Sequence, residues 1–149
     1  MEWIEANGAS LRYELSGGGR ETLVMVHEVG GCIESWDDAL PAFQPHFRVL
    51  RYDQRGFGLS EKTRAITMDG IVADLAALLG ALGIAGPVHL AGCAMGAAIS
   101  LAFAGRHPGA PAASLPRARP RGPTPTRTLL ASASRRPSAA ACERSSRRA

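Results

Sequence analysis

Along residues 1–108 the apolar positions change period in an orderly way. "EWIEANGASLRYELSGGG" alternates apolar and polar residues on both sides of Asn7-Gly8. That dipeptide favours a two-residue hairpin turn, so the stretch predicts two short antiparallel strands. "ETLVMVHE" is an unbroken apolar run of strand length, which predicts a strand covered on both faces. "SWDDALPAFQPHF" predicts a short helix broken near Pro45, and "FRVLRYD" a second buried strand. "TMDGIVADLAALLGALG" carries the clearest helical period: Met68, Ile71, Val72, Leu75, Leu78, Leu79 and Leu82 fall on one face, which makes that stripe core. Thr67 is placed to cap this helix and Gly83 to end it. "PVHLAGC" then predicts a third buried strand, and "AMGAAISLAFAGRH" a helix that stops before Pro108.

A hairpin followed by strand–helix three times over predicts the α/β class, a mostly parallel sheet with covering helices. Ligands of such sheets bind beyond the carboxyl ends of the strands. Three loops fall there, and they carry "HEVGG", "DQRGFGLS" and "GCAMG".

From Gly109 this grammar stops. Residues 109–149 hold six prolines and no aromatic residue, and their only paired large aliphatic residues are Leu129 and Leu130. So little apolar surface does not offset the entropy of ordering a chain. The expected division is a domain over 1–108 and a disordered basic segment over 109–149. Charge divides in the same place. Residues 1–108 hold 8 Lys and Arg against 12 Asp and Glu, a net of −4, whereas 109–149 hold nine Arg against Glu143, a net of +8. The overall +4 therefore describes the second part and not the first. A basic segment could bind nucleic acid or an anionic membrane. Its arginines are scattered and no aromatics lie between them, which argues against nucleic acid. Its Arg, Pro, Ala, Ser and Gly are the residues that shifted GC-rich codons yield, so an out-of-frame translation is the expected origin.

Cys32, Cys93 and Cys142 are far apart and odd in number, without metal-ligand spacing, so neither a disulfide framework nor a metal site is expected. No apolar run approaches about 18 residues, and "MEWIEANGAS" lacks the basic and apolar regions of a signal peptide. No membrane span is expected, and the cytoplasm is the expected compartment.

"VMVHEVGG", "RYDQRGFGLS" and "HLAGCAMGAA", in that order and at strand ends, identify a family. The chain resembles the N-terminal half of an α/β-hydrolase-fold protein. It looks most like the branch of 3-oxoadipate enol-lactonase-like and meta-cleavage-product hydrolases, over about residues 3–108. The resemblance implies cofactor-free hydrolysis of a small lactone, ester or C–C substrate, with a small molecule as partner. It makes "GCAMG" the nucleophile elbow, with Gly92 and Gly96 letting a tight strand-to-helix turn close. It assigns the oxyanion hole to the backbone N–H groups of Val29 and Met95, with Gly30 in the same loop as Val29. Glu28 stands where many relatives have glycine, and its carboxylate opposes a developing negative charge unless it points away.

Ala94 occupies the position of the nucleophile, and a methyl group attacks nothing. The family's acid and histidine follow the nucleophile in the chain. After Ala94 there are only His107 and Glu143, in neither expected place. The expectation is a truncated, catalytically inactive chain. Cys93, one residue before the apex, is the substitute nucleophile to consider, though a small buried packing residue is the plainer expectation. His27 is expected to serve structural hydrogen bonds and His89 to be a satisfied core histidine. Asp53, Arg55 and Ser60 are expected to fix their own loop, with Arg55 also a pocket candidate. Two other classes stay open: a non-hydrolytic member that uses the pocket for binding or serine-independent catalysis, and a basic-tail nucleic-acid or membrane binder. The oligomeric state is open as well.

Overall fold

Asn7 and Gly8 both take positive φ, 51° and 70°, the backbone that turns a two-residue hairpin with the twist of its strands. Strands β1 (Glu2–Ala6) and β2 (Ala9–Ser16) accordingly pair antiparallel, with Ala6 opposite Ala9 and Trp3 opposite Arg12. The computed structural model describes residues 1–108; the expected basic segment, 109–149, lies outside the described residues.

The three apolar runs form β3 (Thr22–Val26), β4 (Arg48–Tyr52) and β5 (Val88–Gly92). The five-stranded sheet has the order β1-β2-β4-β3-β5, antiparallel as far as β4 and parallel through β4, β3 and β5. All five residues of β3 are buried, as a continuous apolar run requires. Its side chains alternate between two cores. Val24 and Val26 join Leu50, Tyr52, Leu75, Leu78 and Ile99 in the larger core, whereas Leu23 and Met25 join Val49 under Trp36, Leu40 and Phe47.

Helix α2 (Met68–Ala81) begins where Thr67 Oγ1 accepts the Gly70 N–H at 3.0 Å. It ends where Gly83 N–H reaches Gly80 O at 3.0 Å and Ile84 N–H reaches Leu79 O at 2.9 Å, the paired bonds of a Schellman motif. The expected stripe is core, with one intruder: Asp74 is buried within it. Asp74 tolerates burial because Arg55 pairs with it and Asn7 Nδ2 donates to it at 2.7 Å.

The single short helix expected after β3 is two pieces, a 3₁₀ turn at Ile33–Trp36 and the one-turn α1 at Leu40–Phe43. The early start has a distant cause. Asp53 Oδ1, twenty residues on, accepts the Ile33 N–H at 2.7 Å and holds the first turn in place.

Helix α3 (Met95–Arg106) buries Gly96, Ile99, Ser100 and Phe103, while Leu101 on its other side is 76% exposed. Strand β5 is the last strand of the described sheet, and His89 to Gly92 are only partly buried. The expectation of a core His89 is corrected here. Its ring is partly exposed, with Nε2 3.1 Å from Glu21 Oε2 and the ring edge against Phe47, because no described strand covers that side. Among the described residues no helix is long and apolar enough to cross a membrane.

Candidate functional site

The chain passes from β5 to α3 through Cys93 and Ala94. Ala94 sits at the apex with φ 49° and ψ −111°, a backbone that costs a non-glycine residue about 1–3 kcal/mol. The turn closes so tightly that its flanks admit no side chain. A Cβ on Gly92 would lie 2.3 Å from Gly96 C, and one on Gly96 would lie 2.0 Å from Val26 O. These two glycines are therefore demanded by close approach. Cys93 N–H donates to Val26 O at 3.4 Å, which ties the turn to β3, and Gly96 N–H donates back to Cys93 O at 2.8 Å. The N–H of Met95 is the first amide of α3, one that helix geometry leaves without an intrahelical acceptor. Ala94 is exposed, and so is Cys93. That corrects the expectation of a buried Cys93: the strand that precedes it is the last of the described sheet, so nothing described packs over it. Ser100, a turn and a half further on, spends its hydroxyl on Gly96 O at 2.8 Å.

The loop after β3 is a turn from Glu28 to Gly31, closed by Gly31 N–H to Glu28 O at 3.0 Å with Gly30 at φ 75°. Val29 stands at its tip, 58% exposed. The carboxylate of Glu28 folds back across Gly31, where Oε1 accepts from Ser35 Oγ at 3.3 Å. Cys32 is buried at the start of the 3₁₀ turn.

The loop after β4 is fixed by its own polar residues. Asp53 is fully buried; Oδ1 holds the Ile33 N–H, while Oδ2 accepts from Leu59 N–H at 2.8 Å and from Arg12 Nη1 at 3.2 Å. Ser60 Oγ donates to Asp53 O at 2.6 Å and accepts the Arg12 N–H at 2.8 Å. The buried guanidinium of Arg12 also binds Glu34. Burial alone would raise the Glu34 pKa, but the hydrogen bond from Arg12 and its charge bring it down to about 2. Arg55 is committed elsewhere, to Asp74 of α2 through Nε at 2.9 Å and to Asn7 O at 2.8 Å.

His27 is held on both ring nitrogens. A backbone N–H can only donate, so the bond from Gln54 N–H at 3.0 Å makes Nε2 the acceptor. Nδ1 then carries the proton and donates to Glu28 O at 2.7 Å. Gln54 Nε2 completes the link by donating to His27 O at 2.6 Å. Burial lowers the His27 pKa against the opposing backbone bond to Glu28 and the nearby carboxylates, so the ring is neutral. Phe57 meets its ring edge-on.

The other histidines are remote from Ala94. His46 precedes β4 and His89 is the second residue of β5, both toward the opposite end of the parallel strands. His107 follows the twelve-residue α3, about 18 Å of helix from the elbow, stacked on Phe103. No histidine of the chain is placed to take a proton at the apex. Gln54, Ser35 and Asp74 are the organising residues that sequence reasoning missed. Only Ser35 carried a local signal, its spacing of three from Cys32 at a turn start.

The described residues form one cleft of about 320 Å³ between the ends of α2 and α3, lined by Leu79, Ile84, Val88, Phe103 and His107. Another, of about 260 Å³, lies over Glu2, Tyr13 and Glu14. Neither borders the elbow. Among the described residues no cluster of His, Cys, Asp or Glu could hold a metal ion.

The family model of the alpha/beta hydrolase fold matches residues 21–112, and the chain belongs to that family. The dihydrolipoyllysine-residue acetyltransferase component of the acetoin cleaving system of Pseudomonas putida is 41% identical over 106 residues, which are 70% of this chain and 28% of that protein. The solved enol-lactonase of Burkholderia xenovorans is 32% identical with a TM-score of 0.69, over 72% of this chain and 42% of its own. The solved meta-cleavage product hydrolase of Pseudomonas fluorescens is 26% identical with a TM-score of 0.67, over 72% and 41%. The chain thus spans less than half the length of each of these proteins. The solved pair falls in the two groups that the three sequence motifs resemble.

Proposed function

We propose that this chain presents the elbow of an α/β hydrolase in a catalytically silent form. The observation that carries the reading is Ala94 at the strained apex, with both ring nitrogens of His27 already engaged and His107 at the far end of α3. The backbone N–H groups of Val29 and Met95 are the oxyanion donors of this reading, supported by the exposed turn tip and by the free first amide of α3. Gly30, Gly92 and Gly96 shape the backbone around them. The substrate class of the related full-length proteins is a small lactone, ester or C–C compound, and the elbow of this chain faces such a molecule without attacking it. Cys93 is exposed, but no histidine is placed to draw off its proton, so it does not replace the missing nucleophile.

The test is turnover of p-nitrophenyl acetate and a small lactone by the full chain and by Ala94→Ser. Both are expected to match buffer, because a serine without a base stays a weak nucleophile. Turnover by the unmodified chain, or ready turnover by Ala94→Ser, would overturn the reading.

A further inference from the structure

Asn7 is the only asparagine of the chain, and a glycine follows it. In such a pair the glycine nitrogen can reach the side-chain amide carbon with no Cβ in the way. Attack forms a bond from Gly8 N to Asn7 Cγ as the N–H proton passes to solvent. The Cγ–Nδ2 bond breaks, and ammonia leaves. Water then opens the cyclic imide, at Cγ to give aspartate or at the backbone carbonyl to give isoaspartate. One water is taken up for each ammonia released, and either product carries a carboxylate at residue 7.

Solvent reaches this turn. Asn7 and Gly8 are both exposed, a Cβ on Gly8 would meet nothing within 4 Å, and no described group accepts the Gly8 N–H. The restraint lies on Asn7. Its Nδ2 donates to Asp74 Oδ1 at 2.7 Å, and its carbonyl oxygen accepts from Arg55 Nη2 at 2.8 Å. Departure of Nδ2 as ammonia breaks the first of these bonds outright. The Asp74 charge also opposes the anion that forms on the Gly8 nitrogen as attack begins. Asp74 depends on the same bond in turn. It is 1% exposed, and its described donors are Asn7 Nδ2 and the Arg55 guanidinium. A carboxylate at residue 7 takes away one of these donors and sets a like charge beside a buried one.

We propose that Asn7-Gly8 is a deamidation site whose reaction waits on opening of the contact with Asp74, and that deamidation there releases the hairpin from α2. The product does not re-form the contact that its precursor left, so the change runs in one direction. Nothing in it depends on what the elbow binds.

The full chain is incubated at pH 8, once native and once in guanidinium chloride, and its mass is followed. An acid in place of an amide adds about 1 Da, and the gain is assigned to Asn7 in the N-terminal tryptic peptide. The native chain is expected to react at least about tenfold more slowly than the unfolded one, since it reacts only from its open fraction. The deamidated fraction, separated by ion exchange, is expected to unfold at a urea midpoint about 1 M lower than the unreacted chain. Asn7→Asp is expected to reproduce most of that loss. Adding Asp74→Asn to it exchanges the two groups across the contact, restores a donor and removes the like charge, and is expected to recover at least half of the midpoint. The rate comparison needs no variant to fold. Equal rates in the native and unfolded chains, no reaction at Asn7 in either, an unchanged midpoint after deamidation, or a double variant no more stable than Asn7→Asp would overturn the proposal.

Discussion

Ala94 holds φ 49° and ψ −111° although its methyl group performs no chemistry there. Glycine adopts this backbone without a Cβ penalty, which releases about 1–3 kcal/mol of strain. The freer unfolded chain takes back about 0.4–1 kcal/mol. Ala94→Gly is therefore expected to stabilise the protein by about 1 kcal/mol, read as a higher urea midpoint at unchanged slope. His27 sets a pH dependence of definite sign. Its folded pKa lies below the ordinary 6.5, chiefly because burial disfavours the imidazolium. As pH falls the unfolded chain takes up this proton first, so the His27 contribution is complete above pH 6.5 and is lost as pH drops through the lowered folded value. Protonation also turns Nε2 into a donor facing the Gln54 N–H, which breaks the link between the two loops. Urea unfolding followed from pH 8 to pH 5 should show this loss, and His27→Gln should flatten it.

The elbow joins β5 to α3 by contact between backbones, and that makes Gly96 the sensitive position. A Cβ there would lie 2.0 Å from Val26 O and 2.8 Å from His27 O, both backbone atoms of the central strand and the loop that follows it. Neither can move without pulling β3 out of register. Gly96→Ala is expected to cost about 3 kcal/mol, the upper end for overpacking, with loss of cooperative unfolding as the check. Elements whose instructions are local were legible in the sequence. Asn7-Gly8 turned the hairpin, Thr67 and Gly83 bounded α2, and the glycines of "GCAMG" marked the elbow. Elements set by distant partners were not. The 3₁₀ turn starts at Ile33 because of Asp53, and Asp74 lies inside an apolar stripe because Arg55 reaches it from another loop. Exposure of Cys93 and His89 was hidden for a related reason: a strand's apolar run does not say whether a neighbour covers it. The tight backbone of the elbow was legible in Gly92 and Gly96, whereas the side chains that hold the neighbouring loops were not. Gln54 acts through hydrogen bonds to His27 of another loop that no period or spacing announces, and Ser35 showed only its spacing of three from Cys32.

Burial along the sheet is graded, and stability should follow the gradient. β3 is buried at every position, lies between β4 and β5, and carries side chains into both cores. Opening it exposes both cores at once, so its amides should exchange only through global unfolding. β5 pairs with β3 on one side, is partly exposed from His89 to Gly92, and leads into a helix with Leu101 in solvent. Opening β5 and α3 costs the contacts of Ile99 and Phe103 but leaves the hairpin, β4, β3 and α2 packed together. The elbow should therefore sit on the least protected unit of the fold, and the loop that faces it on the most protected. Hydrogen exchange with mass spectrometry is expected to show peptides from β5 and α3 exchanging well before those from β3 and β4, in one shared step. Equal protection of β3 and β5 would mean that the elbow bonds, Cys93 N–H to Val26 O above all, fuse the two units into one. If the units separate as expected, a ligand held between Val29 and Met95 would bridge them, and it should slow exchange in β5 and α3 more than in β3.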